Sequence, residues 1–148
     1  MTIEQLLNKG ADTLRKAGVS EYRLDAWYLL SYYMNIGKNE YYKNPYALVS
    51  DAQVTEYESL ISERAKRKPL QYITGEQEFA GLIFNVNENV LIPRQDTEVI
   101  VELVIKHAKS KRVLDMCTGS GCIAVSVAKY SEALSVTASD VSESAISI

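Results

Sequence analysis

The stretch VLDMCTGSGCIAV (113–125) decides the fold of this chain. An apolar run carries an acid near its end, a glycine-rich segment follows, and a second apolar run comes next, which is the order strand, turn, helix. Working outward, residues 111–116 read as a strand, 121–130 as a helix and 134–140 as a second strand, and Ser142 caps a helix that barely begins. Alternating strand and helix specify a parallel α/β sheet. A doubly wound domain needs several parallel strands with both faces covered; only two are supplied here, so the expectation is a truncated domain.

Gly119, Gly121 and Ala124 fit the dinucleotide spacing G-x-G-x-x-A, and Asp140 ends the next strand, where ribose hydroxyls are bound. Asp115 speaks against a dinucleotide. It lies just ahead of the glycines, and a carboxylate about 5 Å from a pyrophosphate is repelled by roughly 3 kcal/mol at an effective dielectric near 20. S-adenosylmethionine has no phosphate, carries a sulfonium and offers an ammonium group that suits a strand-end carboxylate. The pattern D-x-x-x-G-x-G followed by an acid therefore favours a class I methyltransferase over a dehydrogenase. The candidate cofactor-binding residues are Asp115, Cys117, Thr118, Gly119, Ser120, Gly121 and Asp140. The plainer alternative is that both glycines only permit close packing of strand and helix.

Composition narrows the function classes. The 148 residues are 47% hydrophobic and 24% charged, ordinary values for a soluble globular chain. A formal net charge of −3 and a pI near 5.2 oppose wrapping a nucleic-acid backbone by bulk electrostatics. The longest apolar runs fall far short of the ~20 residues that span a bilayer, and no signal-peptide pattern opens the chain, so a cytoplasmic location is expected. Cys117 and Cys122 with the lone His107 build neither a disulfide framework nor a zinc set.

The first half reads as a helical bundle. Thr2 and Gln5 stand at capping-box spacing before Ile3, Leu6, Leu7 and Leu14, and Gly18 closes that helix. A second helix over 21–35 is stopped by Gly37, and Ser50 with Gln53 opens a third, striped by Val54, Tyr57, Leu60, Ile61 and Ala65. Tyr22, Tyr28, Tyr32, Tyr33, Tyr41, Tyr42 and Tyr46, with Trp27, are expected to be mostly core or half-buried, a binding surface being the alternative. RAKRKP (64–69) reads as a solvated, basic helix end and marks a domain boundary. Beyond it, Phe79, Leu82, Phe84 and Val86 around Ala80-Gly81 suggest a hairpin. A helix then starts at Gln95 or Asp96, and its interior VIVELVIKHA (99–108) is apolar enough to expect burial on most sides.

The segment PLQYITGEQEFAGLIFNVNENVLIPRQDTEVIVE (69–102) resembles the linker of the HemK-type release factor glutamine methyltransferases. Tyr72, Gly75, Phe79, Leu91, Ile92, Pro93, Arg94, Asp96, Thr97 and Glu98 carry the likeness, with VLDMCTGSGCIAV in the matching place downstream. The resemblance covers 69–148, and the helical first half is similar in length and character to that family's substrate-recognition bundle. It implies three parts: a helical substrate-recognition domain (1–70), a β-hairpin linker (71–95) and an incomplete, Rossmann-like, S-adenosylmethionine-binding domain (96–148). It also implies methyl transfer to the side-chain amide of the glutamine in the Gly-Gly-Gln motif of peptide chain release factors, with no direct nucleic-acid contact and no membrane. In that family an Asn-Pro-Pro-Tyr loop positions the amide nitrogen. No such sequence occurs in these residues, so no catalytic residue is assigned and the 148-residue chain is expected to be inactive.

Departures from the family pattern are few. Gln95 replaces the usual proline, and Cys117 replaces the usual first glycine, narrowing the φ available to the turn and crowding the methionine end. Asn44-Pro45-Tyr46 is read as a turn before a helix rather than a catalytic fragment, Arg94 as a residue whose polar contacts order the linker, and His107 as a helix-terminal surface side chain. Two rival functions remain from the sequence: an amino-methylating DNA or RNA methyltransferase, and a stand-alone helical protein-binding module.

Overall fold

The computed structural model describes residues 1–148, which divide into two compact units, Met1–Thr74 and Gly75–Ile148.

The first unit is all-helical. Helix α1 (Ile3–Lys16) starts in a full capping box, Thr2 accepting from the Gln5 N–H while the Gln5 side chain accepts from the Thr2 N–H. It ends at Gly18, whose φ of +73° lets the Val19 N–H turn back to the Leu14 carbonyl. Helix α2 (Tyr22–Met34) stops at Asn35 rather than at Gly37: Asn35 takes the left-handed position with φ +51°, and the Ile36 N–H bonds the Ser31 carbonyl. Gly37 instead starts a short helix, α3 (Lys38–Lys43), where the Glu40 carboxylate accepts its N–H. Asn44-Pro45-Tyr46 is the turn that follows, and Leu48 forms an isolated bridge with Thr2. Helix α4 (Asp51–Ala65) begins in the second capping box, Ser50 with Gln53.

Leu6, Leu14, Leu29, Leu30 and Tyr57 are fully buried between these helices. The Tyr57 hydroxyl donates to the Ala26 carbonyl at 3.0 Å, and burial pushes its pKa far up. Asp25, also buried, accepts from Arg64 Nε at 2.7 Å, and Arg64 donates further to the Lys68 carbonyl. Arg64 is thus anchored in the bundle, whereas Lys66 and Arg67 behind it are exposed, the solvated helix end expected of the basic run. A further short helix, α5 (Leu70–Thr74), packs on α2 and α4, so the division falls after Thr74 rather than at 70. The tyrosines also differ from expectation: Tyr28, Tyr32, Tyr42 and Tyr46 are exposed, and Tyr22, Tyr33 and Tyr41 are half-buried.

In the second unit, β1 (Glu76–Phe79) and β2 (Leu82–Asn85) pair antiparallel across the two-residue turn Ala80-Gly81, both residues at positive φ. Phe79 and Phe84 meet edge to face, 6.1 Å between ring centres, and share a core with Val101, Cys122 and Val127. The hairpin is therefore part of this unit's core and not a separate linker. A 3-10 turn (Gln95–Thr97) leads into α6 (Glu98–His107). Only Val101 of α6 is buried; Val99, Ile100 and Leu103 are each more than half exposed, because α6 is covered chiefly on the side facing α7. Strand β3 (Arg112–Met116), α7 (Cys122–Tyr130), β4 (Ser135–Ser139) and α8 (Glu143–Ile146) follow in order. β3 and β4 are parallel, Leu114 opposite Thr137 and Asp115 opposite Ala138, as the strand-helix-strand pattern requires. Arg94 is exposed and makes no ion pair, so the ordering role expected of its side chain finds no partner; His107 ends α6 at the surface.

Candidate functional site

The two parallel strands end side by side, and the residues singled out in the sequence gather at those ends. Asp115 is half-buried on β3, next to its last residue. Beyond Met116 the chain takes left-handed conformations at alternate positions, φ +61° at Cys117, +56° at Gly119 and +75° at Gly121. Such a zigzag turns the chain sharply into α7 and keeps the backbone bare. The Gly121 N–H closes it on the Thr118 carbonyl at 2.9 Å, and the Thr118 N–H extends the strand pairing to the Ser139 carbonyl at 3.0 Å.

Two carboxylates flank this turn, and each is held. Thr118 Oγ1 donates to Asp115 Oδ2 at 2.6 Å. Asp140 Oδ1 accepts the Ser142 N–H and Oδ2 accepts the Gly119 N–H, both at 2.9 Å, tying the β4 end to the glycine turn. These backbone donors, Ser142 foremost and then Gly119, hold the Asp140 carboxyl below the usual carboxylate range, so it is ionised at neutral pH. A carboxylate has about four acceptor sites, so both acids keep capacity for a ligand. A Cβ built on Gly119 would meet nothing within 4 Å, which leaves the space before the turn open.

The two cysteines part company here. Cys117 is exposed at the turn, in the left-handed conformation the family's glycine would take without cost; the substitution strains φ rather than narrowing it. Cys122 is buried at the start of α7, where burial first, and the Asp115 charge second, push its thiol up against the opposing pull of Ser120. No cluster of His, Cys, Asp and Glu suited to a metal ion is present. Ser142 is the residue whose part in the site the sequence reading missed. It was legible as a helix cap, and its hydroxyl does accept the Ala145 N–H, but the Asp-x-Ser spacing that lets Asp140 accept its N–H is equally a signal.

Chemically, this is a bare backbone turn between two anionic acceptors. It suits a ligand offering hydroxyls and positive charge, and it opposes a phosphate.

Comparison with known proteins matches both halves of the chain. Residues 5–75 match the family described as PrmC N-terminal domain, and residues 94–148 match the methyltransferase small domain. A release factor glutamine methyltransferase of Leptospira interrogans is 40% identical over 151 residues, covering 99% of this chain and 53% of that protein. The protein of the same name from Clostridium acetobutylicum is 37% identical, covering 100% of this chain and 53% of its own length. That from Geobacter sulfurreducens is 43% identical over 129 residues, covering 86% and 45%. The chain thus spans about half the length of the curated relatives it matches. No helix is long and apolar enough to cross a membrane. With both halves matched in order and the acid-flanked glycine turn in place, the chain belongs to the release factor glutamine methyltransferase family.

Proposed function

We propose that the whole protein to which these residues belong transfers a methyl group from S-adenosylmethionine to the side-chain amide of the glutamine in the Gly-Gly-Gln motif of peptide chain release factors, in the cytoplasm. The observation that carries the reading is the pair of fixed carboxylates on one glycine turn. Asp115, steadied by Thr118, accepts the ligand's ammonium group; Asp140, ionised and fixed by two backbone N–H groups, accepts ribose hydroxyls. Gly119 and Gly121 let the backbone approach, and Cys117, Thr118 and Ser120 complete the cradle. The cofactor, when bound, supplies an electrophilic methyl on a sulfonium, and this chain's residues bind and orient it.

Residues 1–148 by themselves are inactive on this reading, because they contain no Asn-Pro-Pro-Tyr sequence to position the amide nitrogen. They bind S-adenosylmethionine weakly or not at all, and calorimetry showing micromolar affinity would overturn that expectation. The activity itself is tested by incubating the full-length protein with methyl-labelled S-adenosylmethionine and either a purified release factor or DNA. Label on the Gly-Gly-Gln glutamine supports the assignment. Label on DNA, or on neither, sinks it.

A further inference from the structure

Three N–H groups of the glycine turn are already engaged within the fold. That of Thr118 bonds the Ser139 carbonyl, that of Gly119 bonds Asp140 Oδ2, and that of Gly121 bonds the Thr118 carbonyl. A turn that cradles phosphate keeps such donors free for the ligand. Here the bare backbone gives room without those donors, so side chains decide what a ligand meets on the β3 side.

On that side Thr118 and Asp115 form one unit. A threonine hydroxyl has a single proton and two lone pairs. Thr118 gives its proton to Asp115 Oδ2 at 2.6 Å, the length of a charge-assisted bond, and its hydroxyl makes no other hydrogen bond. The Thr118 backbone is fixed at both its N–H and its carbonyl, and a β-branched side chain has few χ1 choices, so the turn itself aims the hydroxyl. Asp115 Oδ1 and the lone pairs of Thr118 Oγ1 remain, on two half-buried side chains. All of these accept, and none donates.

We infer that Thr118 is a positioning residue that determines which group of the cofactor this corner takes. By giving up its proton it fixes the Asp115 carboxylate and becomes a second acceptor beside it, so the pair selects the α-ammonium group and rejects the adjoining α-carboxylate. This rests on the reading of S-adenosylmethionine as the cofactor. Without the hydroxyl, Asp115 keeps its carboxylate but loses the bond that orients it, and the ammonium loses one acceptor.

The test is calorimetry on the full-length protein with two ligands, S-adenosylhomocysteine and its analogue carrying hydrogen in place of the α-amino group. These share adenine, ribose, thioether and carboxylate, so the ratio of their affinities isolates the ammonium. Wild type should prefer S-adenosylhomocysteine by more than about tenfold. Thr118→Val keeps the shape and removes the hydroxyl. It should narrow that preference about tenfold by weakening S-adenosylhomocysteine alone, whereas Thr118→Ser should stay within about threefold of wild type. Asp115→Asn should narrow the preference at least as much, and adding Thr118→Val to it should change the ratio less than about threefold, no carboxylate being left to orient. The backbone bonds of the turn do not use the hydroxyl, and unchanged melting temperatures check the fold. Equal weakening of both ligands by Thr118→Val would make the hydroxyl a general support of the turn and overturn the proposal. So would an unmoved ratio, or a serine variant that behaves like valine. A wild type that binds neither ligand removes the cofactor reading, and the proposal with it; a wild type that binds both alike removes the proposal and leaves the cofactor reading standing.

Discussion

Cys117 and Asp140 show what single residues contribute to the turn. An L-residue in the left-handed region costs about 1–2 kcal/mol that glycine avoids, offset in part by glycine's greater freedom in the unfolded chain. Because the Cys117 side chain is exposed, nothing buried is lost by removing it. Cys117→Gly should therefore stabilise the chain by about 1 kcal/mol in urea unfolding, and a destabilised variant would mean the thiol makes a contact that outweighs the strain. The same exposure predicts that an alkylating reagent at neutral pH labels Cys117 in the folded chain well before Cys122, whose thiol is buried and pushed up. Asp140 gives a pH dependence of definite sign. Its folded pKa is depressed by the Ser142 and Gly119 N–H groups, so the stability it adds is present above the ordinary aspartate value near 3.9 and is lost as pH falls through the depressed value. Melting temperatures of wild type and Asp140→Asn should differ by a constant amount from pH 7 down to about 4 and converge below. A gap that persists undiminished in acid would show that the carboxylate charge is not what ties the two strand ends.

Among the elements, the α1–α4 packing rests on a glycine that the sequence did not mark. A Cβ on Gly10 would collide with the Tyr57 hydroxyl and stand 2.8 Å from its ring. Gly10→Ala gains about 1 kcal/mol of helix propensity, but it forces the ring of a fully buried tyrosine off the Ala26 carbonyl. The net expectation is destabilisation of about 2 kcal/mol, read as a lower urea midpoint with unchanged slope. An unchanged or raised midpoint would show that Tyr57 moves aside freely. Gly10 was illegible because its constraint comes from a residue far along the chain, whereas both capping boxes were legible because every partner lies within three residues. The same contrast runs through the other elements. The strand-turn-helix of β3, the turn and α7 could be read locally, and so could the hairpin turn, where Ala80-Gly81 separates two alternating segments. Helices α3 and α5 are too short to show a period, and Asn35 supplied the left-handed stop that Gly37 was expected to give. The exposure of Tyr28 and Tyr32 on α2 escaped for a further reason: apolar composition predicts burial and does not say against what.

At the scale of the whole molecule, the two units differ in how well each covers its own apolar surface. The first encloses Leu6, Leu14, Leu29, Leu30 and Tyr57 on all sides by helices. The second rests on a parallel pair of strands, an arrangement that ordinarily needs cover on both faces, and a two-stranded sheet is marginal by itself. Leu114 and Met116 on β3 are 60% and 70% exposed, and Leu134 just ahead of β4 is 70% exposed, so one side of that pair faces water. Its stability then depends on the core that Phe79, Phe84, Val101, Cys122 and Val127 form on the other side. Native-state hydrogen exchange on residues 1–148 should accordingly find the amides of Leu29, Leu30 and Ile61 protected at least about tenfold more than those of Leu114 and Thr137. Limited proteolysis should agree, leaving a compact fragment ending near Thr74 while the segment beyond about 110 is cut quickly. Equal protection in both units would show that the small hydrophobic core of the second outweighs its open sheet face. In that case the glycine turn, held at the ends of β3 and β4, would be as rigid as the bundle, and a weak affinity for S-adenosylmethionine could not be traced to loosening of the strands that carry Asp115 and Asp140.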